Sequence, residues 1–121
     1  MQIQSKLEIF PDYLSVTYGP DRCPDALIRS LLLDLEFRCH GTIEDGFTLP
    51  DGTGLARISS KARFTLVSFS GSTLAHIIRR GAIGHLLQIL TSEHHKVTRL
   101  DLAKDYDFDR PEDVMLRLRT L

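Results

Sequence analysis

Residues 96–105 read Lys96-Val97-Thr98-Arg99-Leu100-Asp101-Leu102-Ala103-Lys104-Asp105, and no other stretch narrows the possible folds as much. With the two-residue period of a strand, Leu100 and Leu102 fall on one face and Arg99, Asp101, Ala103 and Asp105 on the other. A hydrophobic core uses the first face. An arginine between two carboxylates on the second exceeds what solvation requires, because Thr or Ser would serve as well. An ordinary half-exposed strand with an internal ion pair is one reading, and such a pair is worth little. The other is a carboxylate pair, Asp101 and Asp105, that holds a hard divalent cation or positions a phosphate-bearing partner.

The preceding chain supplies neighbours for this strand. Ile3, Leu7, Ile9 and Phe10 suggest a short edge strand over 3–10 that Pro11 breaks. Over 13–18, Leu14, Val16 and Tyr18 face one way and Tyr13, Ser15 and Thr17 the other, until Gly19-Pro20 ends the strand. Asp21 or Cys23 then caps a helix with Pro24 in its first turn, where a missing N–H costs nothing. Leu27, Leu31 and Leu35, beside Ile28 and Leu32, make one core-facing stripe that runs to about Arg38. Gly, Asp, Thr and Pro crowd residues 40–54, which read as a mobile loop or irregular hairpin.

Two strands follow, over 55–60 and 62–70, the second alternating Phe64, Leu66 and Ser68 against Arg63, Thr65, Val67 and Phe69. Arg57, Lys61 and Arg63 form a small basic strip on or near the sheet face. Ser70-Gly71-Ser72 turns the chain into helical sequence that runs to Leu90 as one long helix or as two meeting near Gly81. Asp109, with Glu112 three positions on, caps a last helix that begins at Pro111 and carries Val114, Leu116, Leu118 and Leu121.

The order strand, helix, strand, strand, helix, strand, helix predicts an α+β chain: a ferredoxin-like split βαβ arrangement, βαββαβ plus a C-terminal helix. Its antiparallel sheet has helices on one face, and its first and last strands are central neighbours. The 121 residues are one domain by length, with a core that needs no staples.

Charge sets limits on function. The formal net charge is −1, so any contact with nucleic acid must come from a local patch, not from an overall positive excess. Asp101, Asp105, Asp107, Asp109, Glu112 and Asp113 lie together, which leaves the remaining chain mildly basic. Cys23 and Cys39 make neither a disulfide framework nor a metal-ligand spacing, and read as free thiols. The opening Met-Gln-Ile-Gln-Ser-Lys lacks the cationic leader and apolar core of a signal peptide, and no apolar run has the ~20 residues that span a bilayer. The expected location is cytoplasmic, without a membrane partner.

Val97-Thr98-Arg99-Leu100-Asp101-Leu102-Ala103-Lys104-Asp105 resembles the "tRiDlaxD" signature of the Rep_trans type replication initiation factors of phages, plasmids and conjugative elements. Tyr13-Leu14-Ser15-Val16-Thr17-Tyr18 is similar to that family's opening "wlsvTf" strand, and Phe69-Ser70-Gly71-Ser72 to its "lsGs" turn. The likeness spans about residues 12–109. It implies a protein of rolling-circle DNA replication that contacts single-stranded or hairpin origin DNA on the open sheet face, where RNA-recognition modules and HUH-type nicking domains also engage nucleic acid. It further implies Mg²⁺ or Mn²⁺ on Asp101 and Asp105, an orienting or phosphate-meeting Arg99, and backbone contacts from Arg57, Lys61 and Arg63.

The family's catalytic tyrosine does not carry over. It lies well downstream in those initiators, only sixteen residues follow Asp105 here, and Tyr106 directly follows the motif without matching it. The resemblance therefore implies the N-terminal half of an initiator, incomplete as a nicking endonuclease. The alternative is a small phage-encoded inhibitor of a host nucleic-acid-handling defence complex, resembling an anti-CRISPR protein. Its acidic surface, with Asp107, Asp109 and Asp113, would then compete for a basic groove.

Two other readings fail on spacing. Asp105-x-Asp107-x-Asp109 opens like a calcium loop, but Arg110 stands where Gly is required and Leu116 where Glu is required. His94 and His95 are adjacent, whereas HUH nickases separate their two metal-binding histidines by one residue. On a strand, adjacent side chains point to opposite faces.

Overall fold

The computed structural model describes residues 9–39 and 45–104. In chain order these form β1 (Ile9–Tyr18), α1 (Asp25–Asp34), β2 (Arg38–Cys39), β3 (Gly46–Thr48), β4 (Ala56–Ser60), β5 (Thr65–Ser70), α2 (Gly71–Arg79), α3 (Ile83–Leu90) and β6 (Lys96–Lys104). The strands make one sheet in the order β2-β3-β4-β5-β1-β6, antiparallel at every pairing. The architecture is thus α+β, and no described helix is long and apolar enough to cross a membrane. The expected C-terminal helix, and residues 3–8 of the expected first strand, lie outside the described residues.

Register shows which sheet face is the core. Leu14 stands opposite Phe69, Phe69 opposite Ala56 and Ala56 opposite Phe47, while Val16, Val67 and Ile58 form the next row. All are buried in one cluster with Ile28, Leu31, Leu32, Leu74, Ile77, Leu86 and Leu90 from the three helices, so the helices share that face. Tyr18 closes the cluster: its hydroxyl donates to the Leu90 carbonyl at 2.6 Å, which ties β1 to the end of α3.

Several sequence expectations need correction. Pro11 does not break β1. It lies inside the strand opposite Leu102, and the register slips by one residue at Asp12. A bulge is one of the few places in a strand that tolerates a residue without an N–H donor. Helix α1 is capped at Pro24 with no side-chain bond, not by Asp21 or Cys23, and the Asp25 carboxylate instead accepts from Arg29 Nε at 2.6 Å.

The same helix stops at Asp34, short of Arg38, because Glu36 takes a positive φ of 77°. The amides of Glu36 and Phe37 then turn back to the carbonyls of Leu33 and Leu32, which satisfies the helix end. The buried stripe is Ile28, Leu31, Leu32 and Leu35, whereas Leu27 is 56% exposed. Gly81, at φ 72°, closes α2 in the same way, so the later helical sequence is two helices. Of the expected loop or irregular hairpin over 40–54, residues 45–54 are described, and β3 lies there, paired with β2 on one side and β4 on the other.

The most consequential difference concerns β6. It is the end strand of the sheet, not a central one, and among the described residues it pairs with β1 alone. Among the residues whose burial is described, the cluster draws on β1, β3, β4 and β5 but not on β6. The helices stop short of the edge, so Val97 and Leu100 remain 52% and 37% exposed, and the leucine face expected to enter the interior does so only in part.

Candidate nucleic-acid interface

The face opposite the helices is polar, and cross-strand register assembles it from residues far apart in the chain. Arg57 of β4 pairs with Ser68 of β5, Ser68 with Ser15 of β1, and Ser15 with Arg99 of β6. One row across four strands therefore runs Arg, Ser, Ser, Arg. At about 4.8 Å per strand, its two arginine backbones lie roughly 14 Å apart. The serines are buried, while Arg57 and Arg99 are exposed. The neighbouring row runs Ser70, Tyr13, Asp101.

Two local features align these rows. The Thr98 hydroxyl donates to the Ser15 carbonyl at 3.2 Å and meets the Ser15 hydroxyl at 2.8 Å, which pins a second register slip, between Ser15 and Val16. That slip sets Arg99 opposite Ser15 and returns Val97 to the core side, opposite Val16. At the other end, Ser70 caps α2 by accepting from the Thr73 amide, and the Leu55 amide donates to the hydroxyls of both Ser70 and Thr73. Gly71 follows, packed so closely on the Asp12 bulge that a Cβ there would lie 2.6 Å from Asp12 Oδ1 and 2.8 Å from its carbonyl oxygen. The Ser70-Gly71 turn thus seats the bulge that aligns Tyr13 with Asp101.

Arg99 is held from two sides. Its guanidinium carbon lies 4.5 Å from the Tyr13 ring centroid, and its Nη2 and Nε donate to Asp101 Oδ2 at 2.6 and 3.0 Å. These hydrogen bonds, and the charge behind them, hold the Asp101 carboxyl below the usual carboxylate range and push the Arg99 guanidinium further up. The result is an ordered cation on an aromatic ring with remaining N–H donors, suited to a phosphate oxygen or to stacking under a base.

Among the described residues the expected cation site is not assembled. Asp101 is the one expected ligand described there, and Arg99 already occupies it. No group of three His, Cys, Asp or Glu residues converges among the described residues. A hard divalent ion needs several oxygen ligands, and this donor set does not fit one by itself. Asp105, Tyr106, Asp107, Asp109 and Asp113 lie outside the described residues.

The expected basic strip also separates. Arg57 is on the polar face, whereas Lys61 and Arg63 are exposed in the β4–β5 turn, beyond the Ser60–Thr65 pair. His94 is exposed on the turn before β6, where the His95 Nδ1 contacts the Glu93 carbonyl at 2.9 Å. His76 Nε2 lies 3.0 Å from the Leu35 carbonyl, with its ring edge-on to Phe37, a packing role between α1 and α2. Tyr18 is buried, and that burial pushes its hydroxyl pKa far up, which unsuits it as a nucleophile. Tyr13, Ser15 and Ser68 were not singled out by sequence reasoning as site residues. The alternation in 13–18 shows the face of the first two, and the expected pairing of the first and last strands puts that face beside Arg99 and Asp101, as observed; which residue opposes which is set by the two register slips.

The chain matches no family model, no curated protein and no solved structure.

Proposed function

We propose that this chain is a single-stranded or hairpin DNA-contacting domain of ferredoxin-like type, related to the N-terminal half of a Rep_trans type replication initiator. The single observation that carries the reading is the Arg57–Ser68–Ser15–Arg99 row, with Tyr13 beneath Arg99. Two exposed arginines at the ends of a floor of small buried residues suit successive phosphates of a backbone, and the guanidinium held on the Tyr13 ring suits a stacked base. The topology supports it as well. β1–α1–β4 and β5–α2–α3–β6 are the two halves of a split βαβ unit, joined by the β4–β5 hairpin, with β2 and β3 added at the far edge. Contact with DNA, not strand cleavage, is the activity proposed.

The test is fluorescence anisotropy of single-stranded and hairpin oligonucleotides across a salt series. Binding at low salt is expected, falling steeply as salt rises. Arg57→Ala and Arg99→Ala should each weaken it and lower the salt slope by about one phosphate's worth. Binding should persist in EDTA. No binding at low salt, or binding indifferent to both substitutions, sinks the proposal. A stable complex with a host nucleic-acid-handling assembly in the absence of DNA binding would carry the inhibitor alternative instead.

A further inference from the structure

We infer that β6 is a docking edge for a second copy of this chain, paired antiparallel about Leu100. β6 is nine residues long and ends the sheet, and none of its backbone groups bonds to anything beyond β1 among the described residues. Such an edge is a template for another strand unless it is short, twisted away or blocked by charge. Here the exposed side chains of the strand include Val97 and Leu100, two of the four exposed large aliphatics among the described residues, beside the charged Lys96 and Arg99.

The strand's own sequence selects both the occupant and the register. A two-fold interface pairs residue i with j and j with i, so a strand suits itself only where its charges are self-complementary. Centring the pair on Leu100 sets Leu100 against Leu100 of the copy and Arg99 against Asp101 of the copy, twice over. A shift of one residue would oppose the apolar and charged faces. A pair centred on Arg99 or on Asp101 would set like charges against each other. The slip at Thr98 then works in favour of the contact. It returns Val97 to the face of Leu100, so that beyond the bulge Val97 falls against Leu102 of the copy.

Each Arg99 would thus bridge its own Asp101 and its neighbour's, and two six-stranded sheets would continue as one. A strand edge buries less than the ~1,200–2,000 Å² of stable complexes, so the dimer should come and go with concentration. The inference stands apart from DNA binding and is tested without nucleic acid.

The experiment is sedimentation velocity on the purified full chain over roughly 10 μM to 1 mM, with circular dichroism to verify that each variant folds. The wild type should move from monomer to dimer. Leu100→Lys, which places two ammonium groups at the two-fold axis, should leave monomer throughout. Arg99→Asp should weaken the dimer at least ~10-fold, and the double swap Arg99→Asp with Asp101→Arg should restore it. Monomer at every concentration overturns the inference, as does a dimer that survives Leu100→Lys or a double swap that restores nothing.

Discussion

The Arg99 guanidinium lies over the ring of Tyr13 and is gripped by Asp101 two residues along its own strand. A long, exposed arginine normally samples many rotamers, and ordering it on a ligand costs conformational entropy. Here much of that order exists beforehand, supplied by one aromatic ring and one carboxylate.

The pair has a titration signature. Because Arg99 lowers the folded-state pKa of Asp101, the stabilisation is present above the unfolded carboxyl value and is lost as pH falls through the folded one. Both groups are exposed, so the expected change in overall stability is small. An NMR titration of the Asp101 carboxyl should give a midpoint below 3.8, and Arg99→Ala should return it towards that value. An unchanged midpoint in the variant would mean that the ion pair does not form in solution.

Tyr18→Phe leaves the Leu90 carbonyl without its 2.6 Å donor inside the core. Urea unfolding should show a loss of about 1–3 kcal/mol with no change in slope. The same hydroxyl has its pKa raised above the ordinary 10.0, chiefly by burial. Its contribution is therefore complete below pH 10.0 and is lost as pH rises towards the folded value. Wild-type stability should fall more steeply with alkali than that of Tyr18→Phe.

Glycine substitutions separate contact from propensity. At Gly71 a new Cβ would meet the Asp12 backbone, which a side chain's rotation cannot relieve, and Gly71→Ala should cost about 1–3 kcal/mol. It should also shift the amide resonances of Tyr13 and Asp101, because the bulge seated by Gly71 aligns them. Gly84 in α3 has nothing within 4 Å of its would-be Cβ, so Gly84→Ala should stabilise by about 0.5–1 kcal/mol. Equal melting shifts for the two would contradict the close packing at Asp12.

The two free thiols should react at different rates. Burial and, secondarily, the Asp25 carboxylate push Cys23 from 9.0 up to about 11, against a smaller opposing pull from Arg29. At pH 8 it holds on the order of a hundredfold less thiolate than an unshifted thiol. Exposed Cys39 should take up iodoacetamide first, by mass spectrometry, with Cys23 following on unfolding. Early labelling of Cys23 would show that the β1–α1 corner opens.

The alternation of Leu14, Val16 and Tyr18 and the α1 stripe, all but Leu27 of it, were readable along the chain, and Gly81 marked the place where the later helical sequence could divide. Each follows from local periodicity or from backbone freedom at a single residue. So was the sharing of one face by Arg99 and Asp101, since a strand's period is two. The reach of α1 past Asp34 and the break at Pro11 were misread. A positive φ at Glu36 and a bulge at Asp12 are solutions that packing imposes on residues with no local signal for them.

By itself, then, the order of residues determined which side chains share a face and roughly where the elements lie, because those depend on neighbours a few positions apart. Only the tertiary structure decided that β6 is an edge, that Arg57, Ser68, Ser15 and Arg99 form one row, and that Tyr13 lies under Arg99. Strand order and register join residues dozens of positions apart, and they are settled by how the whole core closes rather than by any stretch of sequence.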